Sequence, residues 1–233
     1  MDISLLDKYV PLTRIQQTHF KVKDQGCYDY TLNHQSTDLQ EPWQILENGD
    51  MQIIRSVRYS RQYKVLLAVS CHITKSTQTI DLSYQEGDNP EIIAQYKIDK
   101  DGNWQVSQSH PGDIFKQQGH DPDLVIFPLL RIFSGQMLID CKLRGQAKRQ
   151  VLIPDIRPES GYNDKLKPSF DMRTSKAKGV NGRGRKFQFI SEHYQEDSAQ
   201  FYLNEHGQLD FYQWQQAPQK LWQVTLCKAA VSA

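Results

Sequence analysis

Apolar and polar residues alternate with a period of two along most of the chain, the pattern of strands that bury one face. "TRIQQTHFKVK" (13–23) and "GCYDYTLNHQ" (26–35) are two such runs, and Asp24-Gln25 before a glycine outlines a hairpin between them. "WQILENGDMQIIRSVRYS" (43–60) turns at Asn48-Gly49, the strongest short hairpin signal. "YKVLLAVSCHITK" (63–75) and "TQTIDLSYQEG" (77–87) follow, then the turn "GDNP" (87–90). "EIIAQYKIDKDGNWQVSQS" (91–109) is a further hairpin, turning at Asp101-Gly102. Strand-like runs resume with "QMLIDCKLRG" (136–145) and "AKRQVLIPDI" (147–156), before a long polar stretch over 157–186. "KFQFISEHYQ" (186–195), the hairpin "SAQFYLNEHGQLDFYQWQ" (198–215) and "QKLWQVTLC" (219–227) close the chain. The links are too short for parallel crossovers. The expected fold is therefore mainly β: a single curved, strongly twisted antiparallel sheet, a half-barrel or open barrel, with a short kinked helical insert near 121–135.

That insert, "PDLVIFPLLRIFSGQ" (122–136), breaks the alternation. It is apolar almost all round and carries one charge, Arg131. Asp121 can cap a helix, Pro122 fits its first position, and Asp123 sits where the helix dipole favours an acid. Pro128 kinks any helix there, and Gly135 is a plausible stop. A segment apolar on every side is buried on most faces. On a curved sheet its place is the concave side or the mouth, where it either completes the core or lines a ligand cavity. Arg131, between Leu130 and Ile132, needs water, a carboxylate or an anionic ligand group. The expected ligand contacts are Phe127, Leu130, Arg131, Phe133 and Met137 from this segment, with Tyr202, Tyr212 and Trp214 from the closing hairpin. Alternation puts Tyr212 and Trp214 on one face, apolar in body and polar at the tip.

The hairpins "AQYKIDKDGNWQVSQ" (94–108) and "AQFYLNEHGQLDFYQ" (199–213) align without gaps, each with a glycine suited to the left-handed turn position. Either the turn geometry alone demands this likeness, or a single β domain over 1–233 holds two related halves. Those halves would span about 13–109 and 136–228, joined by 110–135. A length of 233 residues suits one large β domain.

Composition narrows the function. Lys and Arg total 28 against 27 Asp and Glu, a net charge of +1, which offers no overall field for nucleic acid or an anionic membrane. No apolar run approaches the span of a bilayer, so no stable membrane insertion is expected. "MDISLLDKYVPLT" lacks the basic and apolar regions of a signal peptide, which points to the cytoplasm. Cys27, Cys71, Cys141 and Cys227 are widely spaced, without a C-x-x-C pattern, and read as reduced, mostly buried thiols.

Candidate chemistry is sparse. "SHPGDIFKQQGHDPD" (109–123) gathers His110, Asp113, His120, Asp121 and Asp123, but their spacing fits no known zinc pattern, and its prolines and glycines indicate turns. No metal and no cofactor are expected. His193 and Tyr194, flanked by Glu192 and Glu196, form another acid–base group, so His193, Tyr194, His120 and Tyr212 are the catalytic candidates. "RTSKAKGVNGRGRK" (173–186) places Arg173, Lys176, Lys178, Arg183 and Arg185 on a glycine-rich basic loop without the P-loop order. It is either a solvated loop or an anion contact.

The long antiparallel strands, the apolar insert at 122–136, and the closing "AQFYLNEHGQLDFYQW" and "KLWQVTL" runs resemble the β half-barrels of the lipoprotein-carrier (LolA-like) and mycobacterial lipid-carrier families and the VioE-like enzymes. The resemblance lies in pattern and carries over no site residue; it implies the fold, and function does not follow from it. One reading is a binding protein, monomer or homodimer, for an apolar or amphipathic small molecule, lipid-like or aromatic, held between the sheet and 122–136. A second is a cofactor-independent cyclase or isomerase of secondary metabolism using His or Tyr, and a third is a protein–protein interaction module.

Overall fold

A computed structural model of the chain describes residues 3–143, 149–181, 184–191 and 199–228. Strands β1 (Lys21–Leu32), β2 (Gln35–Asn48), β3 (Met51–Ser60) and β4 (Val65–Ile73) begin a meander. It continues through β5 (Thr77–Glu86), β6 (Ile92–Asp99), β7 (Asn103–His110) and β8 (Asp113–His120). The chain then enters the opposite edge as β9 (Val125–Ile126) and β10 (Arg149–Pro154). It works back through β11 (Pro168–Asn181), β12 (Gly184–Ser191), β13 (Ala199–Leu203), β14 (Leu209–Ala217) and β15 (Lys220–Lys228). β15 pairs with β1, so the described strands form one 15-stranded sheet whose edges are β8 and β9. Neighbours are antiparallel except β9 and β10, which run parallel and make the sheet mixed.

The two edges are separated in sequence only by residues 121–124. Laid flat, the sheet would hold them about 67 Å apart at a strand spacing of roughly 4.8 Å. The chain from His120 to Val125 reaches at most about 18 Å. The sheet therefore curls until its edges approach one another, as an unclosed barrel. At the seam, backbone bonds extend each edge's own ladder: Asp121 N–H donates to Gly102 O beside β7 at 2.9 Å, and Phe127 N–H to Leu152 O on β10 at 3.0 Å. Across the curl, the rings of Trp104 on β7 and Phe170 on β11 lie 5.5 Å apart, and Tyr96 on β6 donates to Leu166 O at 2.7 Å.

The main core lies inside the curl, where the inward positions of β5 to β7, among them Ile80, Leu82, Tyr96 and Trp104, meet Phe127, Leu130 and Leu166. A smaller cluster lies apart from it, where helix α1 (Ser4–Tyr9) packs Leu6, with Val10 just beyond, against Val57, Leu66 and Ala68. Arg55 ties that cover down through Asp7 and the Val10 carbonyl.

Six expectations need correction. "TRIQQTH" is not a strand: Thr13 and Gln16 form a reciprocal capping box, and helix α2 (Arg14–His19) follows. β1 accordingly runs through Asp24-Gln25 with a register shift instead of turning there. The short helix begins later than the 121–135 reading, at α3 (Ser134–Leu143), after a single 3₁₀ turn at Arg131–Phe133. Asp121 spends its carboxylate on a local turn, accepting from Asp123 N–H, and β9 pairing takes the next residues, so no helix starts there. α3 replaces the strand expected from residue 136, because Phe133, Met137, Leu138 and Cys141 are buried at helical spacing. The polar stretch over 157–186 is largely strand, with β11 and β12 forming a hairpin, and β8 occupies much of the expected turn over 109–123.

Gly102 has φ +86, and a Cβ there would sit 2.4 Å from Pro122 Cα. Gly102→Ala should cost at least about 2 kcal/mol in urea unfolding, combining left-handed strain with the clash at the seam. Gly49→Ala, at φ +57 with nothing nearby, should cost only about 1 kcal/mol. Equal costs at the two sites would show that the seam is not tightly packed. Burial also raises the Cys27 and Cys71 thiols from 9.0 to about 12 and lifts the Tyr84 and Tyr96 phenols above 10.0. These groups stay neutral in the fold while the unfolded chain ionises. Their contribution is whole below pH 9.0 and is lost as pH rises toward 12, each thiol by up to about 1.4 kcal/mol per pH unit. The melting temperature should hold to about pH 8.5 and then fall steeply; a flat profile to pH 11 would contradict this burial.

Candidate ligand cleft

Period-two alternation, carried across neighbouring strands, builds the cleft's aromatic wall. Register places Tyr30 opposite Val224, Val224 opposite Tyr212, Tyr212 opposite Phe201 and Phe201 opposite Phe187. A second row, two residues along, sets Leu32, Trp222, Trp214 and Ala199 side by side. Against this wall stand Phe127 and Leu129 from the insert and Met137 from α3. Between them is a cleft of about 540 Å³, with residues 153–159 along its rim. A smaller cavity of about 140 Å³ adjoins it, bounded by Tyr30, Leu39, Trp222 and Val224. Arg58, Arg131, Tyr212 and Trp214 line both, so they stand where the two spaces meet.

A buried ionic cluster sits behind that junction. Glu41 on β2 is fully buried, and its Oε2 accepts from Tyr30 Oη at 2.5 Å and from Arg58 Nε at 2.9 Å. Its Oε1 accepts the backbone N–H of Arg131. Arg58 Nη2 lies 2.9 Å from the same Oε2 and also donates to Leu129 O at 2.9 Å. One carboxylate thereby joins β1, β2 and β3 to the insert. Burial opposes the Arg58 charge, but the facing Tyr30 and Glu41 outweigh it and its pKa rises. Burial, more than the Glu41 charge, drives the Tyr30 phenol far above its ordinary range. The guanidinium of Arg131 stacks 4.1 Å over the Tyr212 ring.

Deeper along the cleft Arg173 pairs with Asp171 at 2.7 Å, and its Nη1 touches Met137 Sδ at 3.4 Å. At the rim Arg157 pairs with Asp155 at 2.7 Å. Partial burial resists ionisation of Asp155, but hydrogen bonds from Arg157 and Ser160 hold it below the usual carboxylate range. The arrangement offers an apolar floor with fixed guanidinium groups at its junction and sides.

Phe127, Arg131, Met137, Tyr212 and Trp214 come together on this cleft. Leu130 and Phe133 do not; both lie in the packed core. Tyr202 lies on the other face of β13, where it donates to Gln200 and packs on Phe211, a correction that the register of the aromatic row imposes. The basic loop is likewise corrected. Arg173 is a buried residue of β11, Lys176 and Lys178 are exposed farther along it, and Arg185 is exposed on β12. Arg183 lies outside the described residues, as do His193 and Tyr194. His120 is exposed on edge strand β8, its Nδ1 3.1 Å from Asn103 Oδ1, and does not line the cleft.

Tyr30, Glu41 and Arg58 were not among the expected site residues. A signal for the two charged ones exists in the alternation: Glu41 shares the inward parity of Trp43, and Arg58 that of Ile54 and Ser56. Charged residues at core-facing positions mark a buried pair or a site. Among the described residues, no group of three or more His, Cys, Asp or Glu could hold a metal ion, and no helix is long and apolar enough to cross a membrane.

No family model matches the chain, and no curated protein matches it. Among solved structures, the chain is similar to a beta-barrel-like protein of a domain of unknown function, DUF1849, from Brucella abortus. The two are 13% identical over 89% of this chain and 96% of that one, with a TM-score of 0.48.

Glu41→Gln would leave the buried Arg58 facing a neutral amide, and should lower stability by about 3–5 kcal/mol. Tyr30→Phe removes one donor but keeps the ion pair, and should cost only about 1–2 kcal/mol. Urea unfolding of both variants checks the order. A Glu41→Gln cost below that of Tyr30→Phe would show that the ion pair is not the cluster's anchor.

Proposed function

We propose that the protein binds an apolar or amphipathic small molecule, lipid-like or aromatic, in the cleft between the curved sheet and the 122–136 segment. The supporting observation is the roughly 540 Å³ space itself, floored by Phe127, Met137, Phe201, Tyr212 and Trp214 and flanked by charged side chains, among them Arg58, Arg131, Asp171 and Arg173. That size, with an aromatic floor and charged flanks, suits an amphipathic small molecule. The same reading keeps the protein in the cytoplasm, where its four free thiols stay reduced.

A cofactor-independent acid–base enzyme is the second reading, favoured by the 2.5 Å contact between Tyr30 and Glu41 beside the smaller cavity. Two features weigh against it. The carboxylate is sealed from the cavity, and burial holds the Tyr30 proton too tightly for transfer near neutral pH. Binding is therefore the reading carried forward.

Trp214 and Trp222 report on the site directly, since both line the smaller cavity. Titration with 1-dodecanol should give a saturable change in tryptophan fluorescence. Trp214→Ala should weaken binding about tenfold, a loss of about 1.4 kcal/mol. Absence of a saturable change with 1-dodecanol and with its anionic counterparts dodecanoate and dodecyl phosphate would overturn the binding reading.

A further inference from the structure

The donor inventory of Arg58 carries the reading one step further. A guanidinium has five N–H groups and no acceptor. In Arg58 the Nε proton goes to Glu41, and Nη2 serves Glu41 and the Leu129 carbonyl. Among the described residues Nη1 makes no hydrogen bond, which leaves its two N–H groups. The side chain is 16% exposed, so only a small part of it remains open. It is also held in place, because hydrogen bonds to Glu41 and to the Leu129 carbonyl, with the ion-pair contact to Glu41, fix its plane. Arg58 lines both the larger and the smaller space, as does Arg131, and the two like charges repel. An oxyanion at the junction would accept from Nη1 and relieve that repulsion.

The nearest acid, Glu41, already offsets part of the Arg58 charge, and the acids farther along the cleft sit beside arginines. Asp171 is held by Arg173 and Asp155 by Arg157, while Glu159 lies 4.0 Å from Arg157. Beyond the junction the larger cleft is lined by Phe127, Met137 and Phe201, which suit a hydrocarbon tail.

Resting on the cleft as a ligand site, we infer that its ligand is an amphipathic oxyanion whose charged group binds Arg58 Nη1 beside Arg131 and whose tail fills the larger cavity. A carboxylate and a phosphate share this chemistry, and the two are separated by probe. Isothermal titration of the wild-type protein with dodecanoate, dodecyl phosphate and 1-dodecanol makes the test. At least one anion should bind ten or more times as tightly as the alcohol, and the preference should shrink as salt is raised. Whichever anion is favoured identifies the headgroup class.

Arg58→Met alone would strand the buried Glu41, so Arg58→Met/Glu41→Gln is the informative variant, used once its circular dichroism matches the wild type. In that double variant the anion preference should vanish while 1-dodecanol still binds. Equal binding of alcohol and anions by the wild type would overturn the oxyanion inference and leave the cleft reading standing. Failure of all three probes to bind would overturn both. A preference that persists in the double variant would remove Arg58 from the site.

Discussion

A four-residue connection governs this structure. Residues 121–124 join β8 at one edge of the sheet to β9 at the other, and a chain so short cannot span a flat sheet of fifteen strands. The curl is therefore a matter of reach, and twist alone does not set it. Once the edges approach, β7 faces β11 and Trp104 meets Phe170. One part of the enclosed volume is filled by Tyr96, Leu166 and their neighbours. The other part stays open as the cleft, because the insert bridges its mouth without filling it.

The insert is held by its buried apolar side chains, by β9–β10 pairing and by a buried ionic cluster. Glu41 accepts from Tyr30, Arg58 and the Arg131 backbone, while Arg58 donates to Leu129 O. A fully buried carboxylate is costly to desolvate and is retained only where its oxygens are satisfied. Two of those partners, Arg58 and Arg131, also line the cleft, while Glu41 itself stays sealed behind them. On the proposed binding reading, the cluster that anchors the insert would also hold the Arg58 guanidinium in place before a ligand arrives.

Much of the fold was legible in sequence because strand alternation is a local property. The hairpins at Asn48-Gly49 and Asp101-Gly102 follow from turn chemistry, and both glycines adopt positive φ. Alternation misled where a cap or a helical face competed with it. The run "TRIQQTHFKVK" reads as strand as a whole, yet the Thr13–Gln16 box makes its first part helix, and residues from 136 read as strand although their buried positions have helical spacing. Within the cleft, Phe127, Arg131, Met137, Tyr212 and Trp214 were visible as an apolar insert facing an aromatic strand. Glu41 and Arg58 were visible only as charges at inward positions, without indication that they meet.

The sequence by itself determined most of the strands, the outward and inward sides of many of them, and the interruption at 122–136, since each depends on neighbouring residues alone. It left open which strands would become edges, because pairing of β15 with β1 and of β10 with β9 joins residues far apart in the chain. Only the tertiary structure decided that Tyr30, Glu41, Arg58, Arg131 and Tyr212 share one place. The reason is geometric: four residues of connection curl the sheet, and the curl brings two distant flanks around a common cavity.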